Sequence, residues 1–219
     1  MITRIQFNEE LTRLHHDILS MGTRVENDIL KALDALRSGD IDLAKEVKAS
    51  DQLVNALQLK IEDQVAVLIA TQQPVARDLR ELVTMLKFTD QLERIGDYAV
   101  HLAKAAKRQA EAPYPRSLER LAVMARTGSA MLHDAIAAFL SRDEALARVT
   151  ATRDDEIDAN HKAFIKELLD YLREYPDQAV QATKLIATSG YLERLGDHVT
   201  NLCECVVYMV SGAHAELND

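Results

Sequence analysis

Two short stretches of this sequence set carboxylates where they could hold a cation. Leu92-Glu93-Arg94-Ile95-Gly96-Asp97 recurs as Leu192-Glu193-Arg194-Leu195-Gly196-Asp197. Residues four apart share one face of a helix, so Glu93 and Asp97 project together, as do Glu193 and Asp197. His101 and Asn201 follow one turn later on the same stripe. Earlier in each repeat stands a second pair at the same spacing, Asp51 with Asn55 and Asp154 with Asp158. If the helices carrying these pairs are antiparallel neighbours, each repeat gathers three or four oxygen ligands near one point. Like charges so placed repel one another, and Arg94 and Arg194 point about 100° away from the carboxylates beside them in sequence. A bound cation would offset the repulsion. Carboxylate-rich sites suit magnesium, manganese or ferric iron, and zinc where a histidine joins.

A single E-x-x-x-D on a helix is ordinarily two solvated carboxylates paired with lysines or arginines nearby. Here the pair recurs at the same place in both repeats, with its arginine and glycine. A glycine inside a helix costs about 1 kcal/mol relative to alanine, so Gly96 and Gly196 point to close helix approach or to backbone access for a ligand. Tight helix packing alone explains the glycines almost as well.

The elements that position these residues follow from apolar periodicity. Leu11, Leu14, Ile18, Met21, Val25, Ile29, Leu33 and Leu36 form one face of a first helix, which Ser38-Gly39-Asp40 ends while capping the next. A second helix carries Leu43, Val47, Val54, Leu57, Ile61, Val65 and Leu68 up to Gln73-Pro74. A third runs from about Val75 to about Gln109. Pro113 and Pro115, one residue apart, cannot sit inside a helix and mark the boundary between halves. The pattern then repeats: a helix from about Ser117 to Leu140, a turn at Ser141-Arg142-Asp143, a fifth helix to about Glu174, and a last one opened by Pro176 and ending near Gly212. Met131 is read as the counterpart of Met21. The expected fold is all-α, two tandem three-helix bundles of six long antiparallel helices related by internal duplication, with halves at residues 1–112 and 113–219.

Composition narrows the function. With 47% hydrophobic and 28% charged residues the 219-residue chain is globular, and its net charge of -9 argues against direct nucleic-acid binding. No apolar run approaches the ~18 residues of a membrane span, and the start lacks a signal peptide's apolar stretch, so a cytoplasmic protein is expected. Cys203 and Cys205 point about 200° apart on a helix and read as buried, inert thiols. His15-His16, His133 and His214 fit no metal-ligand spacing. Asp158 and His161 make one D-x-x-H, whereas a ferritin-like di-iron site needs two E-x-x-H pairs. No phosphate-cradling glycine loop, nucleophile elbow or nucleophile–base pair is present, so catalysis is not expected.

The doubled L-E-R-[IL]-G-D resembles the PhoU family of bacterial phosphate-signalling regulators. So do Pro74-Val75-Ala76-Arg77-Asp78-Leu79-Arg80 before the first copy, and Gly196-Asp197-His198-Val199-Thr200-Asn201-Leu202-Cys203-Glu204 and Val207-Tyr208-Met209-Val210-Ser211-Gly212 at the end. The resemblance covers nearly the whole chain. It implies paired three-helix bundles, often dimeric, and in some members iron or zinc clusters held by E/D-x-x-x-D motifs. Carried over by position, the metal candidates are Glu93, Asp97, Glu193 and Asp197, with Asp51, Asp154 and Asp158 in support; no organic cofactor is implied. Asn55 departs from a strict acidic pair, which sets the first site apart from the second. The implied partners are the ATPase of a phosphate ABC transporter and a membrane sensor histidine kinase, through which the protein would hold the phosphate-starvation response off. Two other classes compete: a metal-dependent hydrolase or oxidase built on the carboxylates, and a metal-storing helical bundle.

Overall fold

A computed structural model describes residues 4–111, 114 and 117–218, and turns each apolar stripe into a helix. The first half holds α1 (Arg4–Ser38), α2 (Ile41–Gln72) and α3 (Ala76–Glu111). The second holds α4 (Glu119–Ser141), α5 (Glu144–Ala151), α6 (Asp154–Glu174) and α7 (Ala179–Ser211), with a single 3-10 turn at Pro176–Gln178 before α7. No strand occurs among the described residues. The all-α class and the two three-helix units therefore stand. The fifth helix differs from expectation in being broken at Thr152-Arg153 into α5 and α6. There the amides of Arg153 and Glu156 reach back only three residues, to the carbonyls of Thr150 and Arg153, which tightens the turn and redirects the chain. Ala112, Pro113 and Pro115, on which the expected boundary between halves rests, lie outside the described residues. Tyr114 between them is buried, its ring edge-on to Tyr171 at 5.2 Å.

The two matching turns are built as their residues dictate. The Asp40 carboxylate accepts hydrogen bonds from the amides of Asp42 and Leu43, and Asp143 accepts from Leu146; caps of this kind contribute about 1 kcal/mol each. Just before them, Gly39 and Arg142 both adopt the left-handed backbone, with φ of +70° and +55°. Glycine takes that conformation freely; Arg142 adopts it as the C-cap of α4, with its guanidinium donating to both oxygens of Glu81 at 2.7 and 2.6 Å. His15 approaches the same carboxylate at 2.9 Å. Glu81 is 1% exposed, so this triad fastens α1 and α3 of one half to the end of α4 in the other.

α2, α3, α7 and α6 lie side by side in that order, while α1 rests on α2 and α3 and α4 rests on α6 and α7. α1 and α4 also touch, and α5 packs against α4 and α7. Buried side chains from both halves join in one continuous core, and Phe88 of α3 stacks on Phe139 of α4 at 4.4 Å. α3 and α7 run antiparallel. His101 stacks on Tyr191, and Gln91 bonds to His198 and Asn201, a register that sets Gly96 and Gly196 midway along the crossing.

Candidate functional site

Each acidic cluster forms where two neighbouring helices of one half bring their i, i+4 pairs together. In the first half, Asp51 of α2 faces Glu93 and Asp97 of α3, and Asn55 stands one turn further along α2. Burial raises the Asp51 carboxyl above its ordinary pKa and Asp97 adds to the shift, against Lys104. Glu93 is raised by burial first, then by Asp97, with Asp90 and Asp51 contributing against Arg94. In the second half, Asp154 and Asp158 of α6 meet Glu193 and Asp197 of α7. Asp154 is pushed up to about 7, by burial first and then by Asp197, Asp158, Glu193 and Asp155. Glu193 is raised by burial and Asp197, and Asp197 by burial and Asp158. The seven sequence-predicted acids thus fall into two neighbourhoods, Asp51, Glu93 and Asp97 in the first half and Asp154, Asp158, Glu193 and Asp197 in the second.

Gly196 has a specific role in this. A Cβ built there would collide with Asp154 Oδ1 and stand 3.0 Å from Ile157 Cδ1, so glycine is what lets the Asp154 carboxyl lie against α7. A Cβ at Gly96 would make only ordinary contacts, 3.6 Å to Val54 and 3.8 Å to Asp51 Oδ1. The twin glycines therefore differ: one shapes the cluster, the other only permits close packing.

Oδ1 of Asp51, Oδ1 of Asn55 and Oδ1 of Asp154 are buried and lack a hydrogen-bond partner. A buried acceptor left unpaired costs roughly 1–3 kcal/mol, and a hard cation is the natural partner for oxygens of this kind. The donor set and the Gly196 cradle fit such an ion. As the side chains stand, however, no three Asp, Glu, His or Cys among the described residues are gathered as they would be around a bound metal.

Other expected contributors are engaged elsewhere. His101 is stacked on Tyr191 at 4.6 Å, and Asn201 donates to Gln91 at 3.2 Å. Asp158 receives Lys162 at 2.9 Å, and His161 lies 3.1 Å from the Ser189 hydroxyl. Arg94 reaches Asp90 at 3.3 Å, as its orientation required. Burial pushes the thiols of Cys203 and Cys205 up to about 12 and about 11, in keeping with inert cysteines.

Sequence reasoning missed three polar features. One is the Glu81 triad. A second is the ring seam between the clusters, where Tyr98 stacks with Tyr191 and with His198; its only signal was an aromatic or histidine directly after each motif. The third is Asp28, 5% exposed on the core side of α1 and visible in sequence as a carboxylate inside an apolar stripe.

Comparison with known proteins matches this architecture. A family model described as the PhoU domain matches twice, at residues 18–106 and 121–206. The phosphate-specific transport system accessory protein PhoU homolog of Clostridium acetobutylicum is 35% identical over 219 residues, covering 100% of both chains. The protein of that name from Rhizobium meliloti is 34% identical over 211 residues, spanning 96% of this chain and 89% of its own. The crystal structure of PhoU from Pseudomonas aeruginosa superposes with a TM-score of 0.90 at 33% identity, over 94% of this chain and 100% of that one. That of the phosphate transport system regulatory protein PhoU from Streptococcus pneumoniae gives 0.87 at 32%, over 96% and 99%. The repeat register also revises one pairing. Aligning Ser38-Gly39-Asp40 with Ser141-Arg142-Asp143 and Asp51 with Asp154 makes Met124, not Met131, the counterpart of Met21.

Proposed function

This chain belongs to the PhoU family, and from that premise we propose that it is a non-catalytic regulator of phosphate uptake and phosphate-starvation signalling. Its partners are the ATPase of a phosphate ABC transporter and a membrane sensor histidine kinase. It works in the cytoplasm as a homodimer and reaches the membrane through those partners. The relatives' names, as accessory and regulatory proteins of phosphate transport, support the regulatory over the enzymatic reading. No helix among the described residues is long and apolar enough to cross a membrane, which fits a membrane-embedded partner. A protein of this sort biases larger machines by binding one of their states better than another.

The observation that carries the reading is the pair of acidic clusters at matching places in both halves, in a chain that aligns end to end with such regulators. Glu93, Asp97 and Asp51, with the Asn55 carbonyl, are the groups that hold a cation in the first half. Glu193, Asp197, Asp154 and Asp158 hold one in the second. Iron, zinc or another divalent or trivalent ion would supply positive charge between neighbouring helices. The chain's own part is to present the oxygens, to keep Asp154 against α7 by means of Gly196, and to fix α2 to α3 and α6 to α7.

The test is genetic. A strain lacking the gene, grown in ample phosphate, should express its phosphate-starvation genes, and the intact protein should silence them. A folded variant with Glu93, Asp97, Glu193 and Asp197 all changed to alanine should fail to do so. Starvation genes that stay silent in the deletion strain would overturn the regulatory role; silencing by the variant would return the carboxylates to ordinary surface charges.

A further inference from the structure

A cavity of about 510 Å³ opens between α1 and α2 in the first half, lined by Arg24, Asp28, Ser50, Asn27, Lys31 and His16 among others. The register of the repeat shows what stands at the same place in the second half. Arg24 corresponds to Thr127, Asp28 to Met131, Lys31 to Asp134 and Ser50 to Arg153. There Met131 is fully buried, Thr127 donates to Glu156 at 3.1 Å, and Arg153 closes the space by donating to Asp134 at 2.8 Å. The first half has exchanged an apolar side chain and a filling ion pair for a buried carboxyl, a short hydroxyl and an open volume. Packing alone gives no reason for that exchange, since a buried carboxyl in place of a methionine is costly unless it is used.

The polar groups also lie close together. Arg24 Nη1 donates to Ser50 Oγ at 3.4 Å, a long bond, and Asp28 lines the same cavity, its carboxyl raised by burial and drawn back by Ser50, Lys31 and Arg24. Arg24 Nε is buried with no hydrogen-bond partner. A guanidinium with unspent N–H capacity, beside a hydroxyl and an amide, matches the oxygens of a tetrahedral anion. Lys31, which also meets Glu46 at 3.0 Å, and His16 bring further donors to the rim. Asp28 is an acceptor, which a fully ionised oxyanion would repel but which suits the O–H of a singly protonated phosphate group.

We propose that this cavity is a binding site for a phosphoryl oxyanion, inorganic phosphate or a phosphomonoester, held by Arg24, Ser50 and Asp28. The proposal goes beyond the regulatory reading and does not rest on it. A chain that silences no gene would still bind the anion, and a regulator without the site would still silence.

Titration calorimetry on the full chain, in chelator so that no cluster-bound metal contributes, tests it with inorganic phosphate, glycerol 3-phosphate and sulfate side by side. Saturable binding of phosphate or the ester is expected, with sulfate at least about tenfold weaker. The tighter of the two phosphoryl compounds identifies the source. Arg24→Met should weaken binding by about tenfold or more, the loss of one charge-assisted contact. Asp28→Met and Ser50→Arg, which install the second half's residues, should abolish it while thermal unfolding stays cooperative. Absence of binding by both phosphoryl compounds, equal binding of sulfate, or unchanged binding in the folded Asp28→Met and Ser50→Arg proteins would each overturn the assignment.

Discussion

At the head of the first acidic cluster, Ser50-Asp51 sits in the unbroken helix α2; at the head of the second, Arg153-Asp154 sits at the break between α5 and α6. The difference spreads outward from there. Arg153 reaches Asp134 and closes the space beside it, whereas Ser50 leaves that space open. Asp154 is pressed against Gly196, while Asp51 lies at ordinary distance from Gly96. Duplication has kept the apolar stripes, the aspartate caps and the motif helices, which the shared core requires, and has let the polar lining diverge. The two halves are equivalent as scaffolds and unequal as sites.

Their inequality can be broken most severely at Arg142, whose counterpart is Gly39. Arg142→Gly relieves the left-handed strain but leaves Glu81 with only His15, and should lower unfolding free energy in denaturant titration by about 2–4 kcal/mol. Burial works to raise the Glu81 carboxyl, but the hydrogen bonds and charges of His15 and Arg142 outweigh it and hold its pKa below the ordinary value. Its contribution is therefore present above the ordinary carboxyl range and is lost as pH falls through the lowered pKa.

Asp154 works in the opposite direction. Its folded pKa, about 7, lies above the ordinary 3.8, so the native state binds this proton more tightly than the unfolded chain. Stability that is full below about pH 4 should decline as pH rises through about 7 in metal-free protein. Allowing for solvent screening, the decline is roughly 1–3 kcal/mol. Asp154→Asn should remove that slope, leaving the variant more stable than the parent at pH 8. Chelated thermal melts across this range would show it, and a parent profile flat from pH 4 to 8 would contradict the carboxyl cluster as described.

The glycines give a smaller and signed contrast. Gly196→Ala should cost about 1–2 kcal/mol as Asp154 and Ile157 are displaced, whereas Gly96→Ala should be neutral or stabilise by up to about 1 kcal/mol through helix propensity. Matched unfolding curves for the two variants measure the difference directly. Smallest is Asn55→Asp, which copies Asp158 into the first half. It should cost a few tenths of a kcal/mol without metal and bring first-half metal uptake, read by elemental analysis, closer to that of the second.

The apolar spacing of Leu14, Ile18, Met21, Val25 and Ile29 was enough to place α1 and its buried face, and the two aspartate-capped turns bounded its neighbours. The seven acids could be grouped from sequence because i, i+4 spacing fixes a face and short loops force antiparallel neighbours. The break at Thr152-Arg153 could not be foreseen, since neither residue is a strong helix breaker and the turn tightens while both stay in the right-handed region. Nor could the Glu81 triad, whose members His15, Glu81 and Arg142 are joined only by the packing of α1, α3 and the end of α4. The cavity at Arg24 and Asp28 needed the register of the repeat, which shows a carboxyl where the other half has Met131.

α7 touches α3, α4, α5 and α6, and it follows all of them in the chain. Synthesis proceeds from the other end, so a nascent chain holds four partners before the element that joins them exists. The face of α3 that will meet α7, with Gln91, Tyr98 and His101 on it, stays open through the making of the whole second half, during which α4 and α6 have no third member for their bundle. A product ending before Ala179 would keep the clasp at Glu81 yet expose that face for good, and would be expected in the insoluble fraction. The protein's solubility thus waits on the synthesis of α7.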